Sequence, residues 1–446
     1  MSLSERGQAA ARPNGFMLMW EVLKDLWDPE TNPSGYVSLG LAENALMHDT
    51  LSDHIHKNLA LPKHAFTYGD GATGSKRLKA AMARFLTKQL DPVSPVEPSH
   101  VTVTNGCSSA IEHLSWALAN PGDGILLGQP YYGTFIPDIS QRPCVNVLPV
   151  LFHDVDPLGL EAVQKYEDVI VETQAKGQRV AALMLCHPHN PLGRCYPREV
   201  LVGLMRLCET YQIHFISDEI YALSVFTNTI DTDSCCVPFH SALSIDPSGV
   251  IASSRVHVIW GMSKDFGANG IRLGAVVSQH NNDLHAALVP VALYSSSSSL
   301  SDHATANILE DEAWVDGYIS ENRRRLSRHY DIAANWAIQN KIEYMPGVNA
   351  AFFLWVNLGK SYQERNPQKK VANIDEHVMQ ELLTQRVFLA SGVQFGSEQP
   401  GWFRIVFSNP EALLREGLRR VILALDKQEQ SDGLVANEGW RLNGPK

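Results

Sequence analysis

From about residue 100 the chain alternates short apolar runs with stretches of helical spacing. The apolar runs are 101–104, 124–129, 145–150, 180–187, 214–218, 256–262 and 273–279. Several lack clean polar alternation, as expected of strands covered on both faces. The intervening 110–120 and 198–211 stretches carry apolar residues at helical spacing. Seven such runs separated by helices predict an α/β fold around a mostly parallel seven-stranded sheet. Ligands of such sheets sit beyond the strand C-termini. That rule directs attention to Asn105–Ser109, His187–Asn190, Asp218–Tyr221 and Ser263–Lys264.

After Ser295–Ser299 the pattern changes to a long helical run over about 302–339, which includes Arg323, Arg324 and Arg325, and then to mixed strands and helices as far as about Leu425. This predicts a second, smaller α+β unit. The expected division is an N-terminal arm contributing to the small domain (1–60), a large domain (61–310), a small C-terminal domain (311–426) and a polar, mobile tail (427–446). The five-serine run reads equally as a low-complexity linker or as a packed, hydroxyl-rich turn.

Composition narrows the classes. The 446 residues hold 48 Asp+Glu against 37 Lys+Arg, a formal net charge of −11, which supplies no basic footprint for nucleic acid. Only 19% of residues are charged and nine are Trp, too apolar for a disordered chain. The seven cysteines are odd in number and only Cys235 and Cys236 are close in sequence, which suggests neither a disulfide framework nor a metal site and points to a reducing compartment. No stretch reaches about 20 apolar residues, the length needed to span a bilayer. A soluble cytoplasmic protein is the expectation.

Chemistry concentrates at the strand ends. In Trp260-Gly-Met-Ser-Lys-Asp-Phe-Gly-Ala-Asn-Gly-Ile-Arg-Leu-Gly274 a lysine ends an apolar run, with Arg272 eight positions on. A lysine placed there for chemistry is an amine with a lowered pKa that condenses with a carbonyl; alone, it reads as a surface lysine. Ser217-Asp-Glu-Ile-Tyr221 ends another run with a carboxylate, and His187-Pro-His-Asn-Pro-Leu-Gly193 ends a third with an amide in a proline turn. Taken singly these are a helix cap, a core tyrosine and a turn asparagine.

Together, and in this order, they resemble the pyridoxal-phosphate (PLP) enzymes of the aspartate aminotransferase fold, closest to the 1-aminocyclopropane-1-carboxylate (ACC) synthase-like group. The resemblance runs from Gly40-Leu-Ala-Glu-Asn44 through Asn190-Pro-Leu-Gly193, Ser217-Asp-Glu-Ile-Tyr221 and Ser263-Lys-Asp265 to Pro400-Gly-Trp-Phe-Arg404. It implies a large PLP-binding domain, a small domain closing over it, and a homodimer with active sites at the interface. It implies that Lys264 holds PLP covalently and moves the Cα proton, and that Asp218 keeps the pyridine nitrogen protonated so that the ring can act as an electron sink. Asn190 and Tyr221 match the donors to the ring's phenolic oxygen, and Tyr132 the aromatic that stacks on the ring. Cys107, Ser108, Ser263 and Arg272 fall in the phosphate-binding segments, where helix N–H groups and a guanidinium suit a dianion. Tyr68 resembles the tyrosine that reaches the phosphate across the dimer. Arg404 matches the residue that takes the substrate α-carboxylate in a two-pronged grip that lysine cannot reproduce. Glu43 is a hallmark of the ACC synthase-like group on the substrate side.

Two departures bear on the reaction. Plant ACC synthases read Tyr-Tyr-Pro-x-Phe-x-Arg-Asp where this chain has Tyr131-Tyr-Gly-Thr-Phe-Ile-Pro-Asp138, so that Gly133 and Pro137 stand at the proline and the arginine. The usual hydroxyl three residues before the lysine is Gly261. The first change argues against S-adenosylmethionine as substrate; the second removes a phosphate donor. The expected reaction is γ-elimination or γ-replacement on an altered amino acid. Transamination with a 2-oxo acid and β-elimination such as carbon–sulfur cleavage are the alternatives, and a non-catalytic PLP-fold protein is the bland one.

Overall fold

A computed structural model describes residues 3–11, 16–232, 234 and 236–426; the 427–446 tail expected to be mobile lies outside the described residues. All seven apolar runs form strands of one sheet: β1 Val101–Thr104, β2 Gly124–Gly128, β3 Asn146–Val150, β4 Val180–Cys186, β5 His214–Asp218, β6 Val256–Gly261 and β7 Gly274–Val277. The spatial order is β1-β7-β6-β5-β4-β2-β3. Only β7 runs against its neighbours, pairing antiparallel with β1 and β6, so β1 points the same way as the parallel strands. Every residue of β1 and β4 is buried, which is why these runs show no alternation, whereas β3 at the edge is partly exposed.

Register brings the functional ends level. Cys186 pairs with Asp218 and Asp218 with Ile259, while Thr104 and Gly261 both face Gly274. At the opposite rim, where β5 and β6 begin, lies a line of histidines. His214 Nδ1 meets His257 Nε2 at 2.9 Å, His257 Nδ1 meets Ser278 Oγ at 3.0 Å, and His285 touches the Ser278 carbonyl at 2.9 Å and Thr102 Oγ1 at 2.8 Å. Burial depresses all three pKa values, that of His214 to about 4.

The serine run is a packed turn. The Ser295 carbonyl accepts from Asn105 N–H at 3.0 Å, and Ser297 Oγ donates to the Thr104 carbonyl at 3.0 Å. The single helical run expected over 302–339 is two helices, Ser299–Glu310 and Glu312–Gln339. Asp311 breaks it: its backbone leaves the helical region (φ −87°, ψ 73°) and its carboxylate caps the next helix by accepting from Trp314 N–H at 3.2 Å. That second helix spans the molecule. Tyr318 stacks on Phe266 beside the lysine loop, and eleven residues on His329 meets the Phe407 carbonyl at 3.1 Å.

The smaller α+β portion is built on a three-stranded antiparallel sheet, β8 Phe353–Asn357, β9 Ala390–Ser391 and β10 Trp402–Val406, with β10 central. The N-terminal segment joins it. Val37–Ser38 pairs parallel with Val387–Phe388, and Leu39 accepts from Val406 N–H at 2.8 Å. Among the described residues no helix is long and apolar enough to cross a membrane.

Candidate active site

The site lies where β1, β4, β5 and β6 end and the N-terminal segment and β10 approach them. Asp218, the last residue of β5, is 4% exposed. One of its carboxylate oxygens, Oδ1, is buried without a partner. Burial raises its pKa to about 7 against the pull of the Ile220 N–H and the Lys264 amine. An orphaned anionic oxygen in a closed site is costly unless a donor meets it, and a protonated ring nitrogen is such a donor.

Lys264 sits on the single helical turn Met262–Asp265 that follows β6. Its Nζ donates to the Ala42 carbonyl at 2.6 Å. Burial first, then the Arg404 and Arg272 guanidiniums, lowers its pKa to about 8, with the Glu43 carboxylate opposing. The amine is therefore partly neutral at physiological pH, as a nucleophile or proton carrier requires. The Gly40–Asn44 segment is tied to the lysine turn by Asn44, whose amide donates to Asn322 Oδ1 at 3.0 Å and to the Lys264 carbonyl at 3.4 Å. Glu43 itself is exposed at the mouth.

A cradle suited to an anion forms at the end of β1. Gly106 has φ +81°, and a Cβ there would stand 2.3 Å from Arg272 Nη2, so both the backbone twist and the close guanidinium require glycine. The helix Cys107–Leu118 begins at once, leaving its first N–H groups free, and Arg272 is held over it by the Asn269 carbonyl at 2.8 Å. The Ser108 hydroxyl acts on the carboxyl of Asp138, a half-buried acid that desolvation pushes up to about 7. Cys107 is buried with its thiol toward β6: a Cβ on Gly261 would lie 2.9 Å from Cys107 Sγ. Cys107 thus offers the cradle a backbone N–H and no side-chain group. The same Cβ would stand 2.8 Å from the Leu273 carbonyl and 3.0 Å from Gly274 Cα, which explains why position 261 carries no hydroxyl. Ser263 is buried beside it.

Arg404, in the middle of β10, is 4% exposed. Nη1 donates to Asn190 Oδ1 at 2.8 Å and Nη2 to the Gly40 carbonyl at 2.7 Å, while Nε is buried without a partner. The guanidinium lies between the rings of Phe353 and Phe395, 4.5 and 4.8 Å from their centroids. Tyr221 packs edge-on against Phe352 and Phe353, each at 5.4 Å. Tyr132 is partly exposed, feels the charges of Asp138, Arg404 and Asp218, and packs edge-on to Phe135.

Phe395 belongs to a strap, residues 392–398, that leaves the small sheet and lies on the large one. Its carbonyl accepts from Tyr131 N–H at 2.9 Å. Glu398 accepts from Phe152 N–H at 2.7 Å and His153 N–H at 3.1 Å, and pairs with the His153 ring at 2.9 Å. A Cβ on Gly133 would stand 2.0 Å from the Gln394 carbonyl. The proline of the plant pattern is excluded there by the strap.

The structure thus gathers Lys264, Asp218, Asn190, Tyr221, Tyr132, Arg404, Cys107, Ser108, Ser263 and Arg272, with Glu43 at the mouth. It does not gather Tyr68, whose side chain is fully exposed on the chain's surface along with Phe66. Sequence reasoning missed Phe353 and Phe395, Asp138, and any role for Asp265. Asp138 stands in a quoted motif without a role, and its proximity to an aromatic pair was the available signal.

The orphaned Asp218 oxygen, the lowered amine, the glycine-walled anion cradle and the free Arg404 Nε fit a phosphate-bearing pyridine aldehyde and a carboxylate beside it. Fold and site together define a class, and the comparisons agree. The family model for aminotransferase class I and II matches residues 37–421, and the chain belongs to that family. It is 30% identical to "Probable aminotransferase sirI" of Leptosphaeria maculans, over 96% of this chain and 99% of that protein. It is 32% identical to "1-aminocyclopropane-1-carboxylate synthase-like protein 1" of Mus musculus, over 91% and 79%. It is 30% identical to the mouse "Probable inactive 1-aminocyclopropane-1-carboxylate synthase-like protein 2", over 92% and 69%. Among solved structures, aspartate aminotransferase from Thermus thermophilus with maleate superposes with a TM-score of 0.75 over 95% of this chain and 100% of that one, at 20% identity, a likeness of fold.

Proposed function

We propose that this chain is a PLP-dependent enzyme that takes the Cα proton from an amino acid and releases or replaces a substituent at Cγ. The observation that carries the reading is the Lys264 amine, lowered to about 8, set between the Arg404 charge on one side and the Ala42–Glu43 segment on the other. Bound here, PLP supplies the sink for the electrons of the broken Cα–H bond. Asp218 keeps a proton on the ring nitrogen, turning its orphaned oxygen into half of a charge-assisted pair. Asn190 and Tyr221 would meet the cofactor's phenolic oxygen, Tyr132 would stack on its ring, and Gly106, Cys107, Ser108, Ser263 and Arg272 would hold its phosphate. Arg404 takes the α-carboxylate and fixes the plane of the substrate, so the Cα–H bond points where Lys264 can take the proton. A γ-leaving reaction needs a second proton moved at Cβ, and Lys264 would carry protons at both Cα and Cβ. Glu43, at the mouth beside that amine, belongs to the substrate side.

Transamination is the second reading, supported by the relatives described as probable aminotransferases. β-Elimination is a third outcome of the same deprotonation. A non-catalytic protein, suggested by the relative described as probable inactive, would have no need of a complete set of Lys264, Asp218 and Arg404. The active protein is a homodimer in this reading, with Tyr68 and Phe66 covered by the partner and Tyr68 serving its phosphate.

The test is to load the purified protein with PLP and incubate it with amino acids bearing γ- or β-leaving groups, with and without a 2-oxo acid, identifying products by mass. Product from a γ-substituted amino acid without an acceptor supports the proposal. Keto-acid formation that depends on the acceptor replaces it with transamination. The absence of a visible absorption band after loading rejects PLP dependence. A strictly monomeric, fully active protein contradicts the role given to Tyr68.

A further inference from the structure

Lys264 rides on a helical turn of four residues, Met262–Asp265. One turn does not stabilise itself, because nucleation fixes several dihedrals for a single hydrogen bond. The position of the lysine must therefore come from what anchors the turn. Its next residue, Asp265, is 2% exposed and accepts three hydrogen bonds from two other segments. Oδ1 takes Ser224 Oγ at 2.8 Å; Oδ2 takes Leu223 N–H at 3.2 Å and Trp260 Nε1 at 3.1 Å. Leu223 and Ser224 lie two and three residues beyond Tyr221, in a turn closed by Ser224 N–H on the Tyr221 carbonyl at 3.0 Å. Trp260 is fully buried on β6, against Phe85 and Phe266. Arg323 of the long helix adds its positive charge near Asp265 and donates to the Leu223 carbonyl at 2.8 Å.

We propose that Asp265 is a positioning residue for Lys264: its carboxyl group bolts the lysine turn to the Tyr221–Ser224 turn that follows Asp218 at the end of β5, fixing the amine's distance from Asp218 and Tyr221. The inference rests on the functional reading above. Three donors converge on one buried carboxyl group at the junction of β5 and β6, so the lysine and the Asp218–Tyr221 wall move as one piece. Arg404 is outside this junction, held by Asn190 and the Gly40 carbonyl. A displaced lysine turn consequently slows proton transfer without loosening the grip on the substrate carboxylate.

The experiment compares PLP-loaded wild type with Asp265→Ala, Asp265→Asn, Ser224→Ala and Trp260→Phe. Readouts are kcat and KM for the substrate found above, the pH midpoint of the visible band, and the dissociation constant for PLP. Asp265→Ala is expected to lower kcat by ~10- to 100-fold, the cost of misplacing a reacting group by about 1 Å. KM should stay within about twofold and the band midpoint should move. Asp265→Asn should recover most of kcat, since its oxygen can serve Leu223 and Trp260 while its amide donates to a rotated Ser224 hydroxyl. Ser224→Ala and Trp260→Phe each remove one bond, and they should move kcat and the midpoint part of the way even if Asp265→Ala does not fold. A folded Asp265→Ala with unchanged kcat and midpoint overturns the proposal; so do single-bond variants that alter only thermal stability, or that raise KM as much as they lower kcat. A wild type that forms no visible band at all rejects PLP dependence instead, a different result.

Discussion

The two walls of the site are built differently. The cofactor wall comes from adjacent strands in register, so that Cys186, Asp218 and Ile259 stand side by side and the functional residues follow within a few positions. Backbone pairing places them, and every short loop leaving that edge delivers its residues to the same spot. The substrate wall joins Gly40–Glu43, near the start of the chain, to β10 and the adjoining 392–398 strap, near its end. Backbone bonds tie the N-terminal segment to the small sheet, where Leu39 accepts from Val406 N–H, but around Arg404 the contacts are side chains meeting single carbonyls and two aromatic rings. The first wall is a property of the sheet; the second exists only while the small portion rests on the large one. Changes in the first should therefore act on kcat and cofactor, and changes in the second on KM.

The largest effect expected is on the cofactor wall. Lys264→Ala should abolish the visible band and lower turnover by ~10²- to 10⁴-fold or more, the range for removing a general acid–base group. Asp218→Asn keeps the shape but loses the charge paired with the ring nitrogen; kcat should fall by ~10²-fold while KM changes little. Arg404→Lys tests the other wall: a point charge cannot grip a carboxylate in two places, and KM should rise about tenfold or more with the band intact. Equal effects of Asp218→Asn and Arg404→Lys on both constants would erase the distinction between the walls. Smaller still is Glu398→Ala. It strands the part-buried N–H of Phe152, costing about 1–3 kcal/mol of strap docking, and should raise KM several-fold without weakening PLP binding. A loss of PLP binding would mean the strap serves the cofactor wall.

The far rim of the sheet gives the smallest effect, and only in acid. His214, His257 and His285 are held neutral in the fold, His214 down to about 4. The groups facing them are Arg179, Arg255, Lys79 and His100, all basic. The unfolded chain takes up these protons near pH 6.5 and the folded chain does not, so unfolding binds protons in acid. Stability from this rim is full above pH 6.5 and is lost progressively as pH falls toward about 4. The thermal midpoint should decline over that window, and His257→Asn should flatten the decline.

The cofactor wall was legible in the sequence because the strand-end rule and local motifs act over a few residues; the observed strands end within one or two residues of the apolar runs. The substrate wall was legible only in part. Arg404 and Glu43 carried recognisable surroundings, but Phe353 sits 51 residues from Arg404, and nothing in an apolar run says which cation it will face. Asp265 was visible as a letter in a motif, yet its donors lie 5, 41 and 42 residues away, and only folding brings them together. The break at Asp311 was hidden because apolar spacing continues across it. Tyr68 stands fully exposed on the chain, and the role proposed for it depends on the proposed dimer.

Gly261 limits what a single substitution can add to the cradle. A Cβ there collides at once with Cys107 Sγ, the Leu273 carbonyl and Gly274 Cα. Two of the three obstacles are backbone, so a smaller residue at 107 would not clear the way; β6 and β7 would have to part. A side chain with a hydroxyl cannot be set at position 261 by a single substitution unless that backbone shifts, so the donors to an anion at the cradle must come from other positions, such as Ser108 and Arg272.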